Sequence, residues 1–216
     1  MGLDITVVIA DWSWLDELPP PQRLPRLRDA WYADETGLWD HDAPTVEGDW
    51  VQPRGRNGTF FTVYEFRHTL GSYKAHFWAG QRWEAVRGHV GPSTRTELDT
   101  FLSGLIWDGP NGEAQHIDPP SAGDGSEGSD GSDGSDGHGA RGVLLARTPA
   151  SARELAATWE RVRPRLTGIR EAFAEHAAVP EGWIGDFDAF AELLREWGHV
   201  VTEAAGRGWG VIGLSE

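Results

Sequence analysis

Glu65, Arg67, His68, His76, Arg82, Arg87 and His89 fall within one stretch, TFFTVYEFRHTLGSYKAHFWAGQRWEAVRGHV from Thr59 to Val90. Histidine and carboxylate are suitable ligands for zinc, iron or manganese. Asp40, His41 and Asp42 just upstream could join Glu65, His68, His76 and His89 in such a site. Glu65-x-x-His68 has the i, i+3 spacing of di-iron bundles, but these need a second such pair and further glutamates on other helices, and none is evident. His76 and His89 are spaced so that a helix would carry them on roughly opposite or oblique faces. The plainer expectation is no metal and no cofactor, the histidines serving as polar edges or satisfied partners of a core.

Acid–base chemistry is the second option. Glu65 with Asp11, Asp40 or Asp42 could form a carboxylate pair, and a separation of about 5–10 Å would suit glycoside hydrolysis. The chain has 12 tryptophans, and stacking on sugar rings would use them. Trp31, Trp83, Trp159 and Trp197, however, fall on inner helical stripes and read as core. This leaves Trp12, Trp14, Trp39, Trp50 and Trp78 as binding aromatics. There is no nucleophile elbow and no glycine loop placed to cradle a phosphate. Arg67, Arg82 and Arg87 could hold a carboxylate or phosphate through paired N–H groups. Pairing with Glu65, Glu84 and neighbouring acids is the simpler use for them.

The elements that must position these groups follow from periodicity. Phe60 to Phe66 is rich in aromatic and β-branched residues and reads as a strand after an Asn57-Gly58 turn. Alternation puts Glu65 in line with Phe61 and Val63, where a carboxylate needs a cationic partner. Gly71 and Ser72 break the chain before a helix over 73–90, with Phe77, Gly80, Trp83, Val86 or Arg87, and Val90 as its inner stripe. Residues 3–10 and 142–147 read as buried strands, and 209–214 as a last one. Helices are expected at 19–33, from Thr94 and Glu97 (a capping box) to near Trp107, from Pro149 and Ser151 onward with a kink at Pro164, and at 186–205. Residues 34–56 have no clear period and read as a loop.

Residues 119–141 carry a Gly-Ser-Asp repeat with no apolar side chain, which reads as a disordered acidic insertion. The expected architecture is one α+β domain, a small sheet of three to four strands covered by four or five helices. Residues 1–118 form its N-terminal part and 142–216 its C-terminal helical part, on either side of the 119–141 linker.

Net charge −15 argues against binding a nucleic-acid backbone and leaves room for a basic protein partner. No apolar run approaches a bilayer span, there is no signal-peptide pattern, and there are no cysteines. The expected location is therefore the cytoplasm. Lys74 is the only lysine among 19 basic residues, a bias typical of GC-rich bacterial genomes.

The opening Met-Gly-Leu-Asp, leading straight into a strand, resembles the start of several uncharacterised bacterial protein families. The resemblance covers a few residues and implies a small cytoplasmic bacterial protein, with no activity to transfer. The leading expectation is a small-molecule or partner-binding module whose aromatic-lined polar pocket draws on Trp39, His41, Glu65, Arg67, His68 and His76. The alternatives are a metal-dependent or acid–base enzyme using Glu65 and His68, and an acidic immunity-type protein binding a basic partner.

Overall fold

The computed structural model describes residues 4–32, 45–46, 49–53, 56, 59–69, 71–107, 113–119 and 142–215. Trp39, Asp40, His41, Asp42 and nearly all of the acidic Gly-Ser-Asp stretch lie outside these residues. The fold is α+β around one antiparallel sheet, with strand order β2-β3-β4-β1-β6-β5.

Strand β1 (Ile5–Ala10) is central, because its run of β-branched and apolar side chains can be buried on both faces. It pairs with β4 (Phe61–Tyr64) on one side, Val7 opposite Tyr64. On the other it pairs with β6 (Gly210–Ser215), from Ile5 opposite Ser215 to Ala10 opposite Gly210. Strand β5 (Val143–Arg147) adds to β6 and forms one edge. The other edge is β2 (Thr45–Val46) and β3 (Trp50–Val51), with β3 laid against β4. The sheet thus has six strands rather than three to four. The stretch 34–56 hides two of them, since two-residue strands are too short to show an alternation.

Both faces of the sheet are covered. Ile5, Val7, Ile9, Tyr64, Leu145 and Val211 face one core with α3 (Tyr73–Val86), α4 (Pro92–Leu102), α6 (Pro149–Val162), α7 (Arg170–His176) and α8 (Phe187–Arg207). Val8, Ala10, Phe61, Val63, Ile212 and Leu214 face the other, with α1 (Trp12–Asp16), α2 (Pro20–Tyr32) and α5 (Ala114–Ile117). The expectation of four or five helices was low because α1 and α5 are single turns without a stripe to read, and because a 3-10 segment, Arg163–Ile169, divides α7 from α6 where one kinked helix was expected. Among the described residues, no helix is long and apolar enough to cross a membrane.

Local chemistry explains most element ends. Asp11 caps α1 by accepting from the Ser13 amide at 2.9 Å. Thr148, not Ser151, caps α6, with Pro149 in the first turn. Pro164 falls where α6 tightens into a 3-10 segment, Arg163–Ile169, before α7. Helix α4 starts one turn earlier than the Thr94–Glu97 signature implies, because Gly91 and Pro92 open it. It ends in a π-helical turn, Ser103–Trp107.

The stripe of α3 differs from the expected one. Ala75, His76, Ala79, Gly80, Trp83 and Val86 are buried, whereas Phe77 is 50% exposed. Trp83, fully buried, donates its indole N–H to Asp99 at 2.7 Å, and that fixes which face turns inward.

The crossing of α6 and α8 depends on Gly198. A Cβ there would stand 2.1 Å from Cε2 of Trp159, a ring held in the core against Phe101. Gly198→Ala should therefore lower stability by about 1–3 kcal/mol through overpacking. Gly206→Ala on the same helix meets nothing within 4 Å and should be neutral or stabilising by up to about 1 kcal/mol, by helix propensity. Urea unfolding of the two variants checks this. Equal effects would mean that the α6–α8 contact is not close.

Candidate functional site

Where β4 ends, the chain turns through residues 65–69 beneath the middle of α8, and a polar cluster forms there. Tyr64 and Phe66 point to the helical layer because they alternate with Val63 on the strand. Phe66 packs edge-on against Tyr64, with centroids 5.0 Å apart, and lies 5.1 Å from Trp197 of α8. That contact sets the rotation of α8 and carries Glu196, the residue before Trp197, inward with it. Glu196 is only 5% exposed.

Glu196 Oε1 accepts the backbone N–H of Arg67 at 3.1 Å and lies 3.7 Å from Nδ1 of His68. Its other oxygen, Oε2, is buried without a hydrogen-bond partner among the described residues. Burial pushes the Glu196 carboxyl up to about 7, with the Glu192 and Asp49 charges adding to it. The neighbouring His68 and the Arg67 amide hold it back only in part. Near neutral pH this group is therefore divided between acid and carboxylate, which is uncommon away from functional sites.

Around it are the groups that a ligand would meet. The His68 side chain is 63% exposed. Arg67 forms an ion pair with Asp49. The Tyr64 hydroxyl donates to the other Asp49 oxygen at 3.4 Å. Burial first, then the charges of Glu196 and Asp49, raise the Tyr64 hydroxyl above the ordinary tyrosine range, so it stays a donor. Trp50 donates its indole N–H to Nε2 of His199 at 3.3 Å, and the His199 ring lies edge-on to Tyr64. His199 itself is exposed.

Behind this rim lies His76, 1% exposed and boxed by Phe66, Tyr73 and Trp197. Burial lowers its imidazole to about 4, so it is neutral at pH 7. Nδ1 is 3.4 Å from the Ser72 carbonyl, and Nε2 has no partner among the described residues.

The structure thus brings Arg67, His68 and His76 to one region and leaves Glu65 apart. Glu65 follows the last paired residue of β4 and is exposed, and its backbone N–H donates to the Asp49 carbonyl at 2.8 Å. The buried carboxylate expected at Glu65 is instead Glu196, from the far end of the chain. Trp39 and His41 lie outside the described residues. His89 stacks on His176 with centroids 3.5 Å apart, remote in its contacts from His68 and His76. Arg82 donates to the Ile184 carbonyl and lies over Trp78, while Arg87 pairs with Asp99 and Glu84. Asp11 is occupied as a helix cap, and Trp12, Trp14 and Trp50 are buried rather than open to a sugar. Among the described residues, no group of three or more histidines and carboxylates is arranged to hold a metal ion.

Glu196, Asp49 and His199 were not singled out from sequence. A weak signal for Glu196 exists: Leu193, Glu196 and Val200 repeat at three and four residues, a second inward row beside the Phe190–Trp197 stripe. The chain matches no family model, and no curated protein and no solved structure matches it.

Proposed function

We propose that the protein is a binding module, and that the rim formed by Asp49, Arg67, His68 and His199 over Glu196 is its recognition surface. The supporting observation is a buried carboxyl that is half satisfied, shifted to about 7 by burial and covered by an exposed imidazole. Such an arrangement costs stability and is retained where it serves a ligand. Arg67 is paired with Asp49 and Arg195 with Glu192, which leaves the Glu196 carboxyl without a guanidinium partner among the described residues. The ligand or protein partner therefore presents a basic group, in keeping with the chain's net charge of −15.

The test is amide NMR of the full chain titrated with N-acetyl-arginine methylamide, with N-acetyl-glutamate methylamide as control. Saturable shifts at Asp49, Arg67, His68 and His199 are expected for the arginine probe alone, weakened at least ten-fold by Glu196→Gln. Equal responses to both probes, or no effect of Glu196→Gln, would make the cluster a structural feature.

A second reading, acid–base catalysis, has one observation in its favour. A carboxylate beside Nδ1 of an exposed imidazole orients the ring and leaves Nε2 as the working nitrogen. This version uses Glu196 in place of Glu65.

A further inference from the structure

Apart from the Glu196 cluster, the π-helical turn after α4 and the first turns of α6 line an open cleft of about 310 Å³. It is lined by Thr100, Ser103, Gly104, Arg147, Ser151, Glu154, Leu155 and Thr158. This site shares no residue with the Glu196 cluster.

The chemistry of the lining is one-sided, because its donors are already used. Thr100 donates its hydroxyl proton to the Thr96 carbonyl at 2.9 Å, and Ser103 donates to the Thr100 carbonyl at 3.2 Å. Thr158 donates to the Glu154 carbonyl at 2.9 Å and accepts from Arg161 at 3.0 Å, which leaves it one lone pair. Ser151 donates to Glu113 at 2.5 Å. Arg147 is bound to the turn itself: Nε donates to the Gly104 carbonyl, Nη2 to the Ser103 carbonyl at 3.1 Å, and Nη1 faces Glu113 at 3.7 Å.

What remains is a set of acceptors, the hydroxyl lone pairs of Thr100, Ser103 and Thr158, beside the Glu154 carboxylate. Glu113 pairs with Arg147 and Glu97 is shared by Arg161 and Arg165, whereas Glu154 is exposed and has no ion pair among the described residues. The closeness of the two walls depends on Gly104, where a Cβ would stand 2.5 Å from the Leu155 side chain.

The geometry points to a binding site for a small primary ammonium compound, such as an amino alcohol or diamine, held by Glu154 and the hydroxyls of Thr100, Ser103 and Thr158. A neutral polyol would need donors as well as acceptors, and an anion would meet Glu154. At about 310 Å³ the cleft has ample room for a compound of this size.

The experiment is amide NMR of the full chain titrated with ethanolamine and 1,4-diaminobutane, and separately with choline, glucose and acetate. Saturable shifts at Ser103, Gly104, Ser151 and Glu154 are expected for the two primary amines. Choline, which has the charge but no N–H donors, should bind at least ten-fold more weakly. Glu154→Gln should weaken the amines at least ten-fold while leaving the melting temperature within a few degrees, since the side chain is exposed and has no ion pair among the described residues. Thr158→Val should also weaken them, and its melting curve reports whether the fold is kept. Glu196→Gln should change nothing at this cleft, which separates the site from the recognition surface proposed above. Equal binding of choline or glucose, or unchanged affinity in Glu154→Gln, would overturn the assignment.

Discussion

Expressed apart, residues 1–118 and 142–216 should each remain unfolded or insoluble, and co-expression should recover a single cooperative transition. The reason is the place of β1 in the sheet. All six of its residues pair with β6, from Ile5–Ser215 to Ala10–Gly210, so two adjacent interior strands belong to different halves of the chain. Without β6, the N-terminal piece leaves Val7, Val8, Ile9 and Ala10 beside an open edge, although all four are buried in the whole protein. Helices α3 and α4 also lose α6 and α8, which complete their core. The C-terminal piece retains only β5 and β6, and two strands alone are marginal in water. Circular dichroism melts and amide NMR spectra of the separate and combined pieces check this. Two monomeric halves that melt cooperatively by themselves would contradict the shared core.

The second large effect is on pH dependence, where Glu196 and His76 act with opposite signs. Glu196 binds its proton more tightly folded than unfolded. Its contribution is therefore fully present below the ordinary glutamate range and is lost as pH rises to about 7. His76 has the reverse behaviour: its folded value is about 4, below the unfolded 6.5, so stability is lost as pH falls through that interval. The two slopes oppose each other at mildly acidic pH, which predicts a nearly flat profile there. The wild-type protein should then lose stability toward pH 8 and again toward pH 4.

Glu196→Gln should remove the decline toward pH 8 and gain about 1–3 kcal/mol there, while matching the wild type near pH 4.5. His76→Phe should flatten the acid side by a similar amount, since Phe66, Tyr73 and Trp197 already provide an aromatic box. Urea midpoints measured across pH 4–8 decide it. Parallel curves for wild type and Glu196→Gln above pH 5 would mean that Glu196 ionises as an ordinary surface glutamate.

The local framework is legible in the order of residues alone. Strand β1 was legible because a β-branched run bounded by turn residues has few alternatives, and β5 and β6 were legible for the same reason. Helices α6 and α8 followed from apolar spacings of three and four, and the α+β class followed from the order of these elements. Which polar groups meet depends on how distant segments pack. Periodicity relates a residue to others three or four positions away, but Arg67 and Glu196 are 129 apart and meet only because Trp197 packs on Phe66. Glu65 had the right local pattern for burial, yet it follows the last paired residue of β4 and remains exposed. Phe77 likewise fits an apolar stripe, and the Trp83–Asp99 hydrogen bond turns α3 so that His76 is buried instead. Burial of a polar group depends on the partners that distant segments bring, and those partners exist only once the layers have packed.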